Sequence, residues 1–433
     1  MTSPSPADAP EARGAPRPAL VARTVAVPAA AVGDLLRMLP EPQDAGDIVS
    51  WVRRGDGLVG WGTVVTFRSK GADRFDRAEQ WWRDVTAEAI VRDDVDEPGT
   101  GPIAFGSMAY SAASDDESVL VVPEVVVGRR GDLAWVTTIT TDATVPGANE
   151  PLDVQPAPQA PGDVVFGDRD LSADRWAGAV EEAVARITSG ALDKVVLARS
   201  VQATARERID PRWLLTRLAE DYDTTWVFAV DGLVGATPEM LVRLERGLVT
   251  SRVLAGTIRR TGDDSHDLAL AGSLARSSKD LEEHDYAVRS VADSLAAHTS
   301  SINVPDSPFV LHLNNVMHLA TDVAGVVDDA STSLALAASL HPSAAVCGTP
   351  TADADRVIAE LEHMDRGRYA GPVGWMDASG DGEWGIALRC GSYDSPHSLR
   401  LYAGCGIVAG SRAEDEVAES VAKLLPMRTA LGG

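Results

Sequence analysis

Ser50-Trp51-Val52-Arg53-Arg54-Gly55-Asp56-Gly57-Leu58-Val59-Gly60-Trp61-Gly62 places two short β-forming runs on either side of a Gly-Asp-Gly turn. That pattern reads as a hairpin. Strands joined so directly lie antiparallel, because parallel neighbours need a long crossover. The pattern recurs outward from the hairpin. Residues 101–111, 119–127 and 133–140 read as strands, with 128–132 as a turn. Further along, strands are expected at 194–198, 225–230, 241–244, 368–375, 385–389 and 398–404. Apolar residues at helical spacing predict helices over 73–91, 172–190, 211–222, 276–299, 331–339, 352–362 and 413–425. Ser172 and Gly190 are cap candidates for the second of these. Many strands follow one another with no helix between, which predicts an α/β (α+β) fold with large, mostly antiparallel sheets.

The chain has 433 residues, 45% hydrophobic and 24% charged, the balance of a soluble globular protein. Its net charge of −25 repels phosphate backbones, which argues against a nucleic-acid partner. Any anionic substrate would need a local cationic pocket. The three cysteines, Cys347, Cys390 and Cys405, lack metal-ligand spacing and are an odd number, so a reducing cytoplasm is expected. No apolar run reaches the roughly 18 residues of a membrane span, and no signal-peptide core is visible near the start. Residues 1–18 are rich in Pro, Ala, Ser and Asp and read as a disordered tail. Residues 142–161 read as a surface connection, and 19–433 as a single domain.

Several residues can carry chemistry, though each has a plainer account when read alone. Lys194 shares a strand face with Val196 and Ala198; it is either a desolvated general base or a strand-end lysine reaching solvent. Glu239, in Gly235-Ala236-Thr237-Pro238-Glu239-Met240-Leu241, is either a general acid with a raised pKa or a solvated turn residue. Glu283, Glu416 and Glu419 lie on two helices. They are oxygen ligands that would suit Mg²⁺, or surface carboxylates, Glu283 and Glu419 in i,i+4 pairs with Lys279 and Lys423. The glycine-rich segments around Gly256 and Thr257, and around Gly404 and Gly406, are either backbone cradles for a carboxylate or ordinary tight turns or bulges. Arg389, expected at a strand end, is a carboxylate fork or one half of a salt bridge. His318 and His341 read as structural.

The order of these segments is more telling than any one of them. Lys194-Val195-Val196-Leu197-Ala198-Arg199, Gly235 to Leu241, Leu254 to Arg260, Ser278 to His284, His341-Pro342-Ser343-Ala344-Ala345, Arg368-Tyr369-Ala370-Gly371-Pro372, Trp384 to Cys390 and Gly404 to Lys423 together resemble the chorismate-utilising enzyme family. The resemblance covers about residues 165–427 and extends less specifically to the opening hairpin. It implies two packed, mostly antiparallel sheets with helices outside, chorismate as substrate, and Mg²⁺ as cofactor. It further implies that Glu283 and Glu419 are magnesium ligands and that Glu416 acts through water. Arg389, Tyr369 and backbone at Gly256, Thr257, Gly404 and Gly406 would hold the substrate carboxylates, with Lys423 adding positive charge. Lys194 is similar to the base that activates water in the members forming isochorismate or salicylate, and Glu239 to the acid that protonates the departing C4 hydroxyl. Lysine at 194 argues against the amine-transferring anthranilate and aminodeoxychorismate synthases. Ala345 stands where salicylate and anthranilate synthases usually carry a Gly-Thr pattern, which points to isochorismate formation, with salicylate formation the alternative. Ser343 and Ala344 depart from a common Thr-Pro. A monomer is expected, and the product's destination, menaquinone or a siderophore, is open.

Overall fold

The computed structural model describes residues 19–142, 154–312 and 316–432, without the side chains of Lys279 and Glu283. The proposed tail and most of the 142–161 connection lie outside the described residues. Within them the chain forms two sheets, of 13 and 10 strands. One pair of strands, Val21–Pro28 and Ile90–Asp93, is parallel; every other pairing described is antiparallel.

The opening hairpin forms, with its turn at Arg54-Gly55 rather than across Gly55-Asp56-Gly57. Strands Ile48–Arg53 and Asp56–Trp61 pair antiparallel, and Arg54 and Gly55 both take positive φ (52° and 80°), the type I′ geometry that matches strand twist. Other boundaries differ from the sequence reading. The helix expected over 73–91 stops at Ala87, and Ile90–Asp93 then joins the first sheet. The strand expected over 119–127 is two strands, Ser118–Val122 and Val125–Arg130, parted at Pro123, which has no N–H for a ladder. The strand expected from 368 begins at Pro372. Ser172 caps its helix by accepting from the Arg175 N–H, whereas Gly190 lies one residue beyond the Ser189 C-cap. Strands Leu248–Arg259 and Val316–Val327, paired over eleven positions, went unread because their mixed side chains do not alternate cleanly.

Both halves of the chain supply strands to both sheets, so neither sheet is a local product. The main core lies between them and includes Trp51, Phe228, Leu241, Val242, Trp384 and Phe105, all buried. Burying each such side chain contributes roughly 1.5–3 kcal/mol. Of the places where the chain passes between the two sheets, two are neighbours. Leu233–Thr237 leads through Pro238 and Glu239 into Met240–Glu245. Gly382–Ile386 returns through Ala387, Leu388 and Arg389 to Cys390–Ser395. The two crossings run side by side, because Gly235 pairs with Cys390 and Met240 with Gly385.

Candidate active site

The two crossings open onto a cavity of about 310 Å³ between the sheets. Its walls carry Lys194, Glu239, Gly256, Thr257, Ala345, Tyr369, Arg389, Gly404, Gly406, Glu416, Glu419 and Lys423. These are all of the site residues expected from sequence except Glu283. That residue belongs to helix Ser278–Ala296, and its side chain lies outside the described residues.

Glu239 sits on the first crossing. Its backbone N–H donates to Thr237 Oγ1 (3.2 Å), Thr237 Oγ1 donates to the Ile386 carbonyl (2.6 Å), and Ile386 N–H donates to the Glu239 carbonyl (3.0 Å). The crossings are thereby laced together and the carboxyl is held in place. Glu239 is only 8% exposed. Burial pushes its carboxyl up to about 7, against the opposing pull of Lys194, Arg389 and Lys423. The solvated-turn account of this residue therefore fails.

Arg389 is not at a strand end, as expected, but on the return crossing in the left-handed region (φ 50°). A non-glycine residue there costs on the order of 1–3 kcal/mol, a strain typical of functional positions. Its Nη1 is buried with no hydrogen-bond partner among the described residues, and its carbonyl accepts from Ala236 N–H. An unpaired buried guanidinium nitrogen on the wall of a cavity is a donor waiting for an anion.

Lys194 opens strand Lys194–Ala205, which pairs with Ser398–Ile407 so that Val196 faces Gly406 and Ala198 faces Gly404. The two glycines leave that strand bare where it borders the cavity. A Cβ at Gly406 would come within 3.1 Å of Lys194 Cε, and one at Gly404 within 3.0 Å of Tyr369 Oη. The lysine stem and the tyrosine hydroxyl occupy the space the missing side chains release. Tyr369 in turn stacks on Tyr402 at 4.9 Å. The second sheet contributes a bulge between Ala255 and Thr257, with Gly256 at φ 76°. It brings Thr257 Oγ1 to 2.9 Å from His318 Nδ1.

Helix Ala413–Ala430 lays Glu416, Glu419 and Lys423 along the rim. Lys423 Nζ bonds Glu419 (2.7 Å) and the Gly404 carbonyl (2.8 Å). Burial pushes both glutamates up. For Glu419 the charge and hydrogen bond of Lys423, together with the Arg259 and Arg389 charges, more than offset this, so its carboxyl stays below its ordinary value, whereas Glu416 remains raised, with the neighbouring Glu419 adding to the effect. Ligand atoms of Glu416, Glu419 and Cys405 lie within 4.8 Å of one another. Burial pushes the Cys405 thiol up to about 12, so it stays protonated and a poor ligand. The oxygen donors that remain suit a hard cation.

The sequence reading passed over three participants. His318, read as structural, lines the cavity, and burial drives its pKa down to about 3, leaving a neutral ring. Tyr402 adjoins the glycine segment but was not singled out. Arg366 binds the Val196 and Val346 carbonyls at 2.8 Å each and pairs with buried Glu362, fixing the strand that carries Lys194. Each depends on strand register, which no local motif reveals.

With this geometry in hand, the model of the chorismate binding enzyme family matches residues 10–432. The chain belongs to the chorismate binding enzyme family. Among relatives of this chorismate-binding chain, Bacillus subtilis isochorismate synthase DhbC is 42% identical over 265 residues, 58% of this chain and 66% of that one. Bacillus subtilis isochorismate synthase MenF is 31% identical over 403 residues, 87% of this chain and 85% of that one. The solved structure of Escherichia coli MenF, described as the menaquinone-specific isochorismate synthase, superposes with a TM-score of 0.78 at 25% identity, covering 96% of this chain and 95% of that one.

Proposed function

We propose that this chain is an isochorismate synthase, moving a hydroxyl on chorismate from C4 to C2. The observation that carries the reading is the pairing of a buried carboxyl held protonated up to about pH 7, Glu239, with a lysine on the same cavity. Lys194 takes a proton from the water that attacks C2. Glu239 gives its proton to the C4 oxygen, which leaves as water. The ring's double bonds shift between, and one water enters for each that departs. Arg389, with backbone N–H groups near Gly256, Gly404 and Gly406, takes the substrate carboxylates. Lys423 and Tyr369 complete that cationic, hydrogen-bonding wall. The relatives named isochorismate synthase support the same reading.

Mg²⁺ fits the donor set of Glu419 and Glu416, with Glu283 as a further ligand; when bound it would neutralise the carboxylate charge of the substrate. We take residues 19–433 to act as one catalytic unit, as a monomer in the cytoplasm. The deciding experiment is incubation of the purified protein with chorismate and Mg²⁺. Isochorismate without pyruvate is expected. Pyruvate release would reassign the chain to salicylate formation, and unchanged chorismate would overturn the enzymatic reading.

A further inference from the structure

Glu239 is reached from two sides. A second cavity, of about 220 Å³, shares Glu239 and Ala345 with the first and runs away from it beneath helix Ser278–Ala296. Its lining includes Ser290, exposed on that helix, and half-buried Ser294. Its walls are rich in hydroxyls. Those of Ser251, Ser294 and Ser339 donate to the carbonyls of Leu241, Ser290 and Leu336, which leaves their oxygens able to accept. Ser343 Oγ is buried with no partner among the described residues. A polar space with several acceptors and an unsatisfied hydroxyl holds water, whereas an empty cavity would be apolar. Besides Glu239, the ionisable groups on its walls are Arg252, bound by Asp322 at 2.7 and 2.8 Å, and His341, whose Nε2 lies 2.8 Å from the Tyr110 carbonyl. Both are engaged elsewhere, so Glu239 is the group this space serves.

The reaction creates a need for such a route. Each turnover leaves Lys194 with an extra proton, Glu239 without one, and a new water at the C4 side. While the substrate or product fills the main cavity, that water and the returning proton need another way past a carboxyl that is nearly sealed. Resting on the isochorismate synthase reading, we propose that the second cavity is a water passage that returns a proton to Glu239 and carries off the departed C4 oxygen as water.

The test narrows the passage from the helix side. Ser294→Leu adds bulk at a half-buried wall position and Ser290→Leu at an exposed one. Each variant is compared with wild type for kcat, KM for chorismate, and the solvent deuterium isotope effect on kcat. A fall in kcat of about tenfold is expected, equivalent to one decade of barrier, with KM within about twofold and a larger isotope effect, because proton return becomes limiting. A merely structural disturbance of the helix would not raise the isotope effect. Unchanged kcat, or an unchanged isotope effect, in the folded variants overturns the passage. Should Ser294→Leu fail to fold, Ser290→Leu decides alone, since its site is on the surface. Wild-type protein that leaves chorismate untouched would instead overturn the functional reading.

Discussion

Removing the Lys194 side chain takes away the only group proposed to accept a proton from water. Lys194→Ala is expected to lower kcat by about 10²–10⁴ while chorismate binding, followed calorimetrically, persists through Arg389. Near wild-type turnover would show that another group is the base. Glu239 makes a pH prediction whose sign is set by burial. Its protonated form is the active one, so kcat/KM should decline as pH rises through about 7. Stability follows the same proton. Between the ordinary carboxylate range and about 7, folded Glu239 keeps a proton that the unfolded chain has lost, so stability falls as pH rises across that window. Glu239→Gln should therefore be inactive yet melt about 2 °C above wild type near pH 8, and no higher near pH 4; equal melting at both would refute the buried-acid assignment. Glu419→Gln should abolish stimulation by Mg²⁺ in a rate titration, and retained stimulation would remove Glu419 from the ligand set. Seen as single residues, none of these stood out in the sequence. Lysine and glutamate are common at strand ends and turns, and only three-dimensional burial separates Glu239 from a surface carboxylate.

At the scale of elements, the glycines of strand Ser398–Ile407 matter for what they omit. Gly404→Val places branched atoms against Tyr369 Oη, where a Cβ alone already approaches to 3.0 Å. We expect KM for chorismate to rise about tenfold, from an overpacking cost of about 1–3 kcal/mol at the carboxylate wall. Steady-state kinetics at saturating Mg²⁺ would check this, and an unchanged KM would show that substrate does not lie along the strand. The sequence reading found this segment because paired glycines are visible locally. It held a bulge at Gly256 open as one alternative and missed the positive φ of Arg389, since both follow from pairing with distant strands. It overran the 73–91 helix because Ile90 and Val91 continue the apolar rhythm while belonging to a sheet edge.

Across the whole molecule, the two sheets are joined by contacts that no local pattern announces. Trp51 Nε1 donates to Glu383 at 2.7 Å, across 332 positions of sequence and from one sheet to the other. Trp51→Ala should cost about 3–5 kcal/mol in chemical denaturation; a loss below about 1 kcal/mol would mean the sheets are held mainly elsewhere. The antiparallel class was legible from successive strands, and the site from the order of its motifs. The assignment of strands to sheets was not, because each sheet draws on both halves.

That arrangement bears on how the chain comes to be folded. Strand Ser398–Ile407 lies inside the first sheet, between Lys194–Ala205 and Cys390–Ser395. Without it, Val164–Asp168, Lys194–Ala205 and the short strand Gly348–Thr349 are cut off from the rest of that sheet. In chain order Ser398–Ile407 comes after every other described strand, so it emerges from the ribosome after all of them. Until then the strand bearing Lys194 waits with an open hydrogen-bonding edge, a state prone to mispairing. Pairings this distant also make for slow folding. The cavity wall that carries Lys194 is therefore unassembled in the nascent chain until Ser398–Ile407 has emerged.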